Sequence, residues 1–272
     1  MDTININDKE FWQIVNLLKD SYGINLSQKK NLIVGRLQNH LHRSNYKSIT
    51  DFYNDVISDK TGEMITLLIN KLTTNYTYFL RETEHFDYYM NTVLPYITST
   101  EKSKDMRTWS AGCSSGEEPY TIAMYIEDFF GADKNGWNTE ILATDISDRV
   151  LALASEGIYL TENLEPLKPA WRTNYFSKID DENSQVIKRL RKNISFRKFN
   201  LMEHYIPFKR KFHIIWCRNV MIYFDMQTKH DLVERFYDVT EPGGYLFIGH
   251  SESLARTETR YNYIKPAIYR KE

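Results

Sequence analysis

Residues Arg107 to Ser147 read RTWSAGCSSGEEPYTIAMYIEDFFGADKNGWNTEILATDIS, and this stretch decides the fold. The short, partly apolar run 107–111 predicts a strand, and Gly112 to Gly116 is small and flexible enough for backbone to approach a ligand closely. Pro119 falls in the first turn of a helix, where its missing N–H costs nothing. Ile122, Ala123, Ile126 and Phe130 recur at helical spacing and give that helix one face to lay on a sheet. A second strand, Glu140 to Thr144, delivers Asp145 at its C-terminal end. Together these make the first unit of a nucleotide-type binding fold.

Asp145 lies 29 residues after Gly116, where an acid can accept hydrogen bonds from both hydroxyls of a ribose. The loop is Gly-Cys-Ser-Ser-Gly, without the three-glycine dinucleotide fingerprint, and Glu117 and Glu118 open the helix where a pyrophosphate would sit. Two carboxylates suit the helix dipole but repel a pyrophosphate. A cofactor with a ribose, no phosphate and net positive charge fits better, and S-adenosylmethionine has those properties. A plainer account also stands at this point: the glutamates and Asp145 serve only to cap helices.

Outward from this stretch, the chain has 272 residues, 42% hydrophobic and 26% charged, an ordinary globular composition for one large domain or two. A net charge of −1 gives no overall pull toward nucleic acid or membrane. The N-terminal sequence lacks a basic segment leading into an apolar core, and no window approaches 18 continuous apolar residues, so a cytoplasmic protein without membrane insertion is expected. Cys113 and Cys217 are too few for a disulfide framework and lack metal-ligand spacing, so no metal is expected.

Residues 4–72 read as helical. Phe11, Ile14, Val15 and Leu18 mark one amphipathic helix ending near Gly23; Ser27 is expected to cap a second, carrying Leu32, Ile33, Leu37 and Leu41. Shorter helices follow around Asp51–Ile57 and Glu63–Leu72. Lys29, Arg36, His40 and Arg43 share a face of the second helix, either simply solvated or a docking face for an acidic partner. Next comes LTTNYTYFLRE, residues 72–82, whose polar residues interrupt an aromatic run; Arg81, close to Tyr78 and Phe79, calls for an anionic partner or water. A helix over Glu84–Tyr96 and a polar break over Ser99–Asp105 precede the sheet.

TTNYTYFLRE, WSAGCSSGEEPYTIAM, ATDIS, CRNVMIYFD and GGYLFIGHSESL, in that order and spacing, resemble the chemotaxis-receptor glutamate O-methyltransferases of the CheR family over essentially the whole chain. The resemblance implies a small all-α N-terminal receptor-docking domain (1–72) and a linker with a cofactor-contacting helix (73–98). It then implies a doubly wound, mostly parallel Rossmann-like α/β methyltransferase domain (99–272), interrupted at about 158–193 by a small antiparallel β-subdomain. The implied reaction moves a methyl group from S-adenosylmethionine to receptor glutamates, leaving a γ-glutamyl methyl ester and S-adenosylhomocysteine. The implied partners are methyl-accepting chemotaxis receptors, met on their cytoplasmic helical bundle, with the enzyme a monomer recruited to membrane receptor arrays and no role for nucleic acid.

Carried onto this sequence, the family's cofactor contacts fall on Asn75, Thr77, Arg81, Glu117, Asp145, Asn200, Leu201, Arg218 and Asn219. Asn200 and Leu201 close an expected strand Ile194–Phe199, and Arg218 and Asn219 end another, Phe212–Cys217, at the carboxyl edge where open α/β sheets bind ligands. Arg81 and Tyr223 are the candidates for holding the substrate carboxylate, although Tyr223 between Ile222 and Phe224 also suits core packing. An ionised glutamate needs no general base, so alignment and desolvation should carry the chemistry.

Within the insertion, Asp180–Asn183 resembles a hairpin turn between Trp171–Ile179 and Val186–Arg191. Family members that grip a receptor's C-terminal pentapeptide have a longer, glycine-bearing turn there, whereas IDDENSQ resembles the peptide-independent members. Receptor recognition is therefore expected through Lys29, Arg36 and Arg43. Gln227 to Val239 reads as a helix, Pro242-Gly-Gly244 as a stop before strand Tyr245–Gly249, and 261–270 as the last strands. His250-Ser-Glu-Ser lacks the Gly-x-Ser-x-Gly context of a hydrolase. Cys113 and Cys217 end neighbouring strands, which leaves two readings, a close pair of thiols or two small buried hydrophobes. The rival functions are another methyltransferase, acting on a small molecule or nucleic acid, and a noncatalytic S-adenosylmethionine-sensing module. The charge and the missing Asn-Pro-Pro-Tyr motif speak against nucleic acid.

Overall fold

The computed structural model describes residues 6–73, 76–134, 136–254 and 259–272, which fall into two compact units. The first takes in Met1–Tyr76 and Tyr223–Thr228. Its α1 (Asp8–Tyr22) starts at a reciprocal cap, Asn7 accepting from the Glu10 N–H while Glu10 accepts from the Asn7 N–H, each at 3.0 Å. The expected stripe of Phe11, Ile14, Val15 and Leu18 is buried, and Gly23 closes the helix at φ 70°. Helix α2 (Lys30–Arg43) begins later than the sequence suggested. Ser27 does not cap it; its N–H instead donates to Asn25 Oδ1 in a local turn, and Lys29 occupies the cap position. Helix α3 (Ile49–Ser58) is capped by the Ser48 hydroxyl, worth about 1 kcal/mol, and α4 (Glu63–Leu72) has the expected bounds.

The second unit, Thr77–Ile222 and Lys229–Glu272, carries the sheet. The expected helix over Glu84–Tyr96 is instead α5 (Thr83–Tyr88), a π-helical turn (Tyr89–Val93) and α6 (Leu94–Thr100). There follow β1 (Thr108–Ala111), α7 (Glu117–Phe130), β2 (Ile141–Asp145) and α8 (Asp148–Glu156). The insertion comprises β3 (Ile158–Leu160), α9 (Pro169–Tyr175), β4 (Phe176–Lys178), β5 (Asn183–Val186) and α10 (Lys188–Lys192). The core resumes with β6 (Ile194–Lys198), β7 (Phe212–Cys217), α11 (Met226–Asp238), β8 (Thr240–Ile248), β9 (Asn262–Lys265) and β10 (Ile268–Arg270).

The large sheet runs β6-β2-β1-β7-β8-β10-β9, parallel from β6 to β8 and antiparallel beyond. Its order reverses between β1 and β7, the place where a doubly wound sheet opens a crevice at the strands' carboxyl ends. In register, Trp109 lies beside Ile215 and Ser110 beside Trp216, so the two tryptophans face opposite sides. Trp109 packs on Phe212 and on Phe236 of α11, while Trp216 stacks on Phe86 of α5 and Phe247. Helices on both faces explain why β1 and β7 are buried throughout.

The insertion does form a small antiparallel sheet, β3-β5-β4. Its hairpin arms are shorter than expected because 169–175 and 188–192 are helical. The turn is where the sequence put it: Asp180 Oδ1 accepts the N–H groups of Glu182 and Asn183 at 2.9 and 2.7 Å, the local hydrogen bonding that lets Asp turn a chain without glycine. Pro242-Gly-Gly244 is not a stop before the last parallel strand but a bulge inside β8, where the pairing with β7 slips in register.

Candidate active site

The parallel strands bring their carboxyl ends to one edge, and most of the expected contacts of this unit gather there. Gly112 N–H and Cys113 N–H both donate to the Thr144 carbonyl, at 2.8 and 2.9 Å, so the glycine loop folds over the end of β2. A Cβ on Gly116 would lie 2.9 Å from both Ala154 Cβ and the Tyr159 hydroxyl, and its φ is 98°, so only glycine passes there without strain. That hydroxyl donates to the Ser115 carbonyl at 2.7 Å, which ties the small sheet to the loop.

Asp145 accepts the Ser114 N–H at 2.9 Å and the Ser147 N–H at 3.0 Å. Burial still outweighs these bonds and holds its carboxyl above the usual range. Glu117, also raised by burial, receives the Ser115 hydroxyl at 2.7 Å. Among the described residues neither forms an ion pair. Phe199 N–H donates to the Asp145 carbonyl at 3.0 Å, which sets Asn200 and Leu201 just beyond it; Asn200 Oδ1 accepts the Met202 N–H, and Leu201 is buried.

Arg218 is placed differently from a surface ligand contact. Its side chain is 3% exposed, and its guanidinium donates to Glu118 at 3.0 Å, to Glu82 at 3.1 Å and to the Arg81 carbonyl. It also lies 5.4 Å from the centre of the Phe86 ring. Glu118 uses its other oxygen to accept the Ser110 hydroxyl at 2.7 Å. Burial pushes the Glu82 carboxyl up, but Arg218, the His250 N–H and the Asn219 amide outweigh it and leave it below the usual range. Asn219 Nδ2 donates to Glu82 at 3.3 Å, and the Asn219 N–H donates to Glu252 at 3.0 Å. Leu80, Glu82 and Asn219 all have φ near 60°, a conformation costing on the order of 1–3 kcal/mol in a non-glycine residue.

Arg81 is half-buried, its guanidinium 5.9 Å from the Tyr78 ring centre. Thr77 precedes it on the same segment. Asn75 lies outside the described residues. Tyr223 groups with the helical unit, where its carbonyl accepts the Asn25 N–H at 2.8 Å. In that unit Lys29 and Arg43 are exposed and Arg36 is half-buried. His40, stacked edge-on against Phe52, has its pKa lowered by burial and by Lys71.

Glu82, His85 and His250 hold possible ligand atoms within 4.8 Å of one another. Glu82 has spent both oxygens on Arg218, Asn219 and the His250 N–H, and the guanidinium would repel a cation, so the group reads as structure. His85 is 1% exposed and pushed down to about 3, first by burial and then by Arg218. It is neutral, so its 3.4 Å approach to Glu82 is not an ion pair. Cys113 and Cys217 are both buried and their thiols pushed well up by burial, as small hydrophobes would be.

Sequence reasoning missed Glu82 and Glu252 and read Glu118 only as a carboxylate that repels a pyrophosphate or caps the helix. Glu252 lies in the His-Ser-Glu-Ser motif and binds the N–H groups of Gly249, Asn219 and Ile222. A signal existed for Glu82 and Glu118: each is a charged residue next to a singled-out one, in Arg-Glu and Glu-Glu pairs.

An edge with an acid after β2, a glycine loop opening α7 and no phosphate-binding cation in that loop defines an S-adenosylmethionine-dependent methyltransferase of the doubly wound class. Residues 75–269 match the family described as CheR methyltransferase, SAM binding domain, and residues 9–73 match CheR methyltransferase, all-alpha domain. The chain is 40% identical to the chemotaxis protein methyltransferase of Borreliella burgdorferi, over 98% of this chain and 96% of that one. It is 32% identical to the chemotaxis protein methyltransferase of Escherichia coli, over 97% and 91%. The chain belongs to the CheR methyltransferase family, and its cofactor is S-adenosylmethionine. Among the described residues no helix is long and apolar enough to cross a membrane.

Proposed function

We propose that this methyltransferase esterifies glutamate side chains on the cytoplasmic helical bundle of methyl-accepting chemotaxis receptors, acting as a cytoplasmic monomer drawn to receptor arrays. The charge layout of the sheet edge carries this reading. Half-buried Asp145 and buried Glu117 are carboxylates without an ion-pair partner among the described residues, which suits a ribose and a cation. Arg81 offers a half-buried guanidinium on the neighbouring segment, which suits an anionic acceptor.

Bound S-adenosylmethionine supplies a methyl group on a sulfonium. In this reading Asp145 accepts the ribose hydroxyls, Glu117 faces the cationic amino-acid end, and Asn200 and Leu201 flank the adenine. Asn75, Thr77, Arg218 and Asn219 complete the proposed cofactor side. Arg81 pairs with the acceptor carboxylate, with Tyr223 as a second proposed contact. With a reference pKa of about 4.3 the acceptor is already ionised at neutral pH, so no general base is required and positioning supplies the rate.

The test is transfer of a labelled methyl group to a soluble receptor signalling fragment, scored as label made volatile by base. Base-labile transfer that drops by about 10²-fold in Arg81→Ala supports the reading; intact cofactor binding with no transfer to any fragment would favour a binding module or another substrate.

Receptor choice is proposed to rest on Lys29, Arg36 and Arg43 rather than on a C-terminal pentapeptide. The tight, glycine-free turn at Asp180 supports this, as does the open hollow where Lys29 and Lys30 meet exposed Trp12. Equal receptor affinity after reversing the three charges, or loss of activity on receptors lacking their last five residues, would sink it.

A further inference from the structure

Arg81 sits between two residues in the left-handed region, Leu80 at φ 61° and Glu82 at φ 57°, and Asn219 at φ 60° binds the second of them. Such backbone persists where its surroundings over-determine it, and it concentrates at functional sites. The surroundings here are explicit. Arg218 donates to the Arg81 carbonyl and, at 3.1 Å, to Glu82 Oε2. Asn219 Nδ2 and the His250 N–H both donate to Glu82 Oε1, at 3.3 and 3.1 Å. A Cβ on Gly249 would come within 2.5 Å of Asn219 Nδ2 and 2.8 Å of its backbone nitrogen, so the end of β8 admits Asn219 only because it is glycine. Glu252 then fixes the N–H groups of Asn219 and Gly249.

Glu82 stands at the N-cap of α5, yet its side chain makes no capping bond to that helix. Its carboxylate points instead to the ends of β7 and β8. Helix initiation alone therefore does not account for it.

We infer that Glu82 is a positioning residue: with Arg218 and Asn219 it locks the peptide unit after Arg81 and so aims the Arg81 side chain. This rests on the reading of Arg81 as the contact to the acceptor carboxylate. It also gives the Arg218 guanidinium work inside the protein, beside its proposed place on the cofactor side.

The experiment is a cycle of wild type, Arg81→Ala, Glu82→Ala and the double variant. Each is assayed for kcat and KM of methyl transfer to a receptor fragment, S-adenosylhomocysteine affinity by calorimetry, and melting temperature. Glu82→Ala is expected to lower kcat by about 10²-fold, yet by less than about twofold when Arg81 is already alanine. Equal losses in both backgrounds would mean a merely structural role and overturn the inference. Where Glu82→Ala folds poorly, Glu82→Gln keeps the length and an acceptor for Asn219 and His250. Its kcat should fall about tenfold, again only with Arg81 present, and the heteronuclear NOE of Arg81 Nε in the free protein should fall with it. Wild-type turnover in Arg81→Ala would remove the reading of Arg81 and this inference together. Impaired Arg81→Ala with multiplying losses, or an unchanged NOE in Glu82→Gln, would remove the inference alone.

Discussion

Glu117 and Glu118 are chain neighbours that the fold sends to different work. Glu118 spends its carboxylate inside the protein, on the Ser110 hydroxyl and the Arg218 guanidinium. Glu117 receives the Ser115 hydroxyl, and burial holds its carboxyl above the ordinary range. The same division separates the two sides of the site. Around Arg218, the Glu82 and Glu118 carboxylates are compensated by a buried cation; at the end of β2, Asp145 is half-buried without one among the described residues. Compensated carboxylates build a scaffold, whereas uncompensated ones are held at a cost that a cationic, hydroxyl-bearing ligand can offset.

The comparison breaks first at Arg218. Arg218→Ala leaves two part-buried carboxylates without their cation and the Arg81 carbonyl without the guanidinium's donation, and it should lower unfolding free energy by about 3–5 kcal/mol in urea titrations. A loss below about 1 kcal/mol would mean that the two ion pairs contribute little and that the contrast is false. Asp145→Asn should behave in the opposite way. A raised carboxyl pKa makes the ionised group destabilising at neutral pH, so the variant should be at least as stable as wild type. Its cofactor affinity should fall by about 10- to 150-fold by calorimetry, as expected for losing charge-assisted bonds of about 1.5–3 kcal/mol. A stability loss with unchanged affinity would make Asp145 scaffold too.

How much of this was legible in the sequence follows the same division. Asp145 and Glu117 could be found because their position depends on local order: strand, glycine loop, helix, strand. The buried stripe of α1 and the bounds of α4 were equally local, and so was the turn at Asp180. Glu82 and Glu252 were not, since their partners lie 136 and 33 residues away in the chain and meet only when β7 and β8 pair. The start of α2 was misplaced for a related reason: Ser27 looked like a cap, but the Asn25 side chain captured its N–H in a turn. The bulge at Pro242-Gly-Gly244 and the π-helical turn at Tyr89–Val93 register the demands of a neighbouring strand or packed helix, which periodicity cannot report.

His85 sharpens the scaffold side through pH. Its folded pKa is depressed to about 3 from an ordinary value of 6.5, by burial first and Arg218 second. Below 6.5 the unfolded chain binds a proton that the folded chain refuses, so this stability is intact above 6.5 and drains away as pH falls toward 3. The slope is roughly 1.4 kcal/mol per pH unit, or about 2 kcal/mol by pH 5. Urea titrations at pH 7.5 and 5 should show the drop in wild type and a smaller one in His85→Leu. Equal drops would mean that His85 is protonated in place and that the Arg218 side is less closed than its hydrogen bonds imply.

The smallest effect tests the other side. Burial raises the carboxyl pKa of both Asp145 and Glu117 in the free protein, and a bound cation favours their ionised forms, so binding should expel protons. Affinity is then complete above the raised pKa values and falls as pH drops through them. As pH falls from 7 toward the ordinary carboxyl range, the amino group of the cofactor, with an ordinary pKa of about 7.7–8.0, stays protonated, so the change belongs to the protein. Calorimetry over this window should show S-adenosylhomocysteine affinity falling by less than about tenfold per unit, with proton release that depends on the ionisation heat of the buffer. Asp145→Asn should release fewer protons. Proton release unchanged in Asp145→Asn would reverse the assignment of Asp145 as a carboxylate that waits for the ligand.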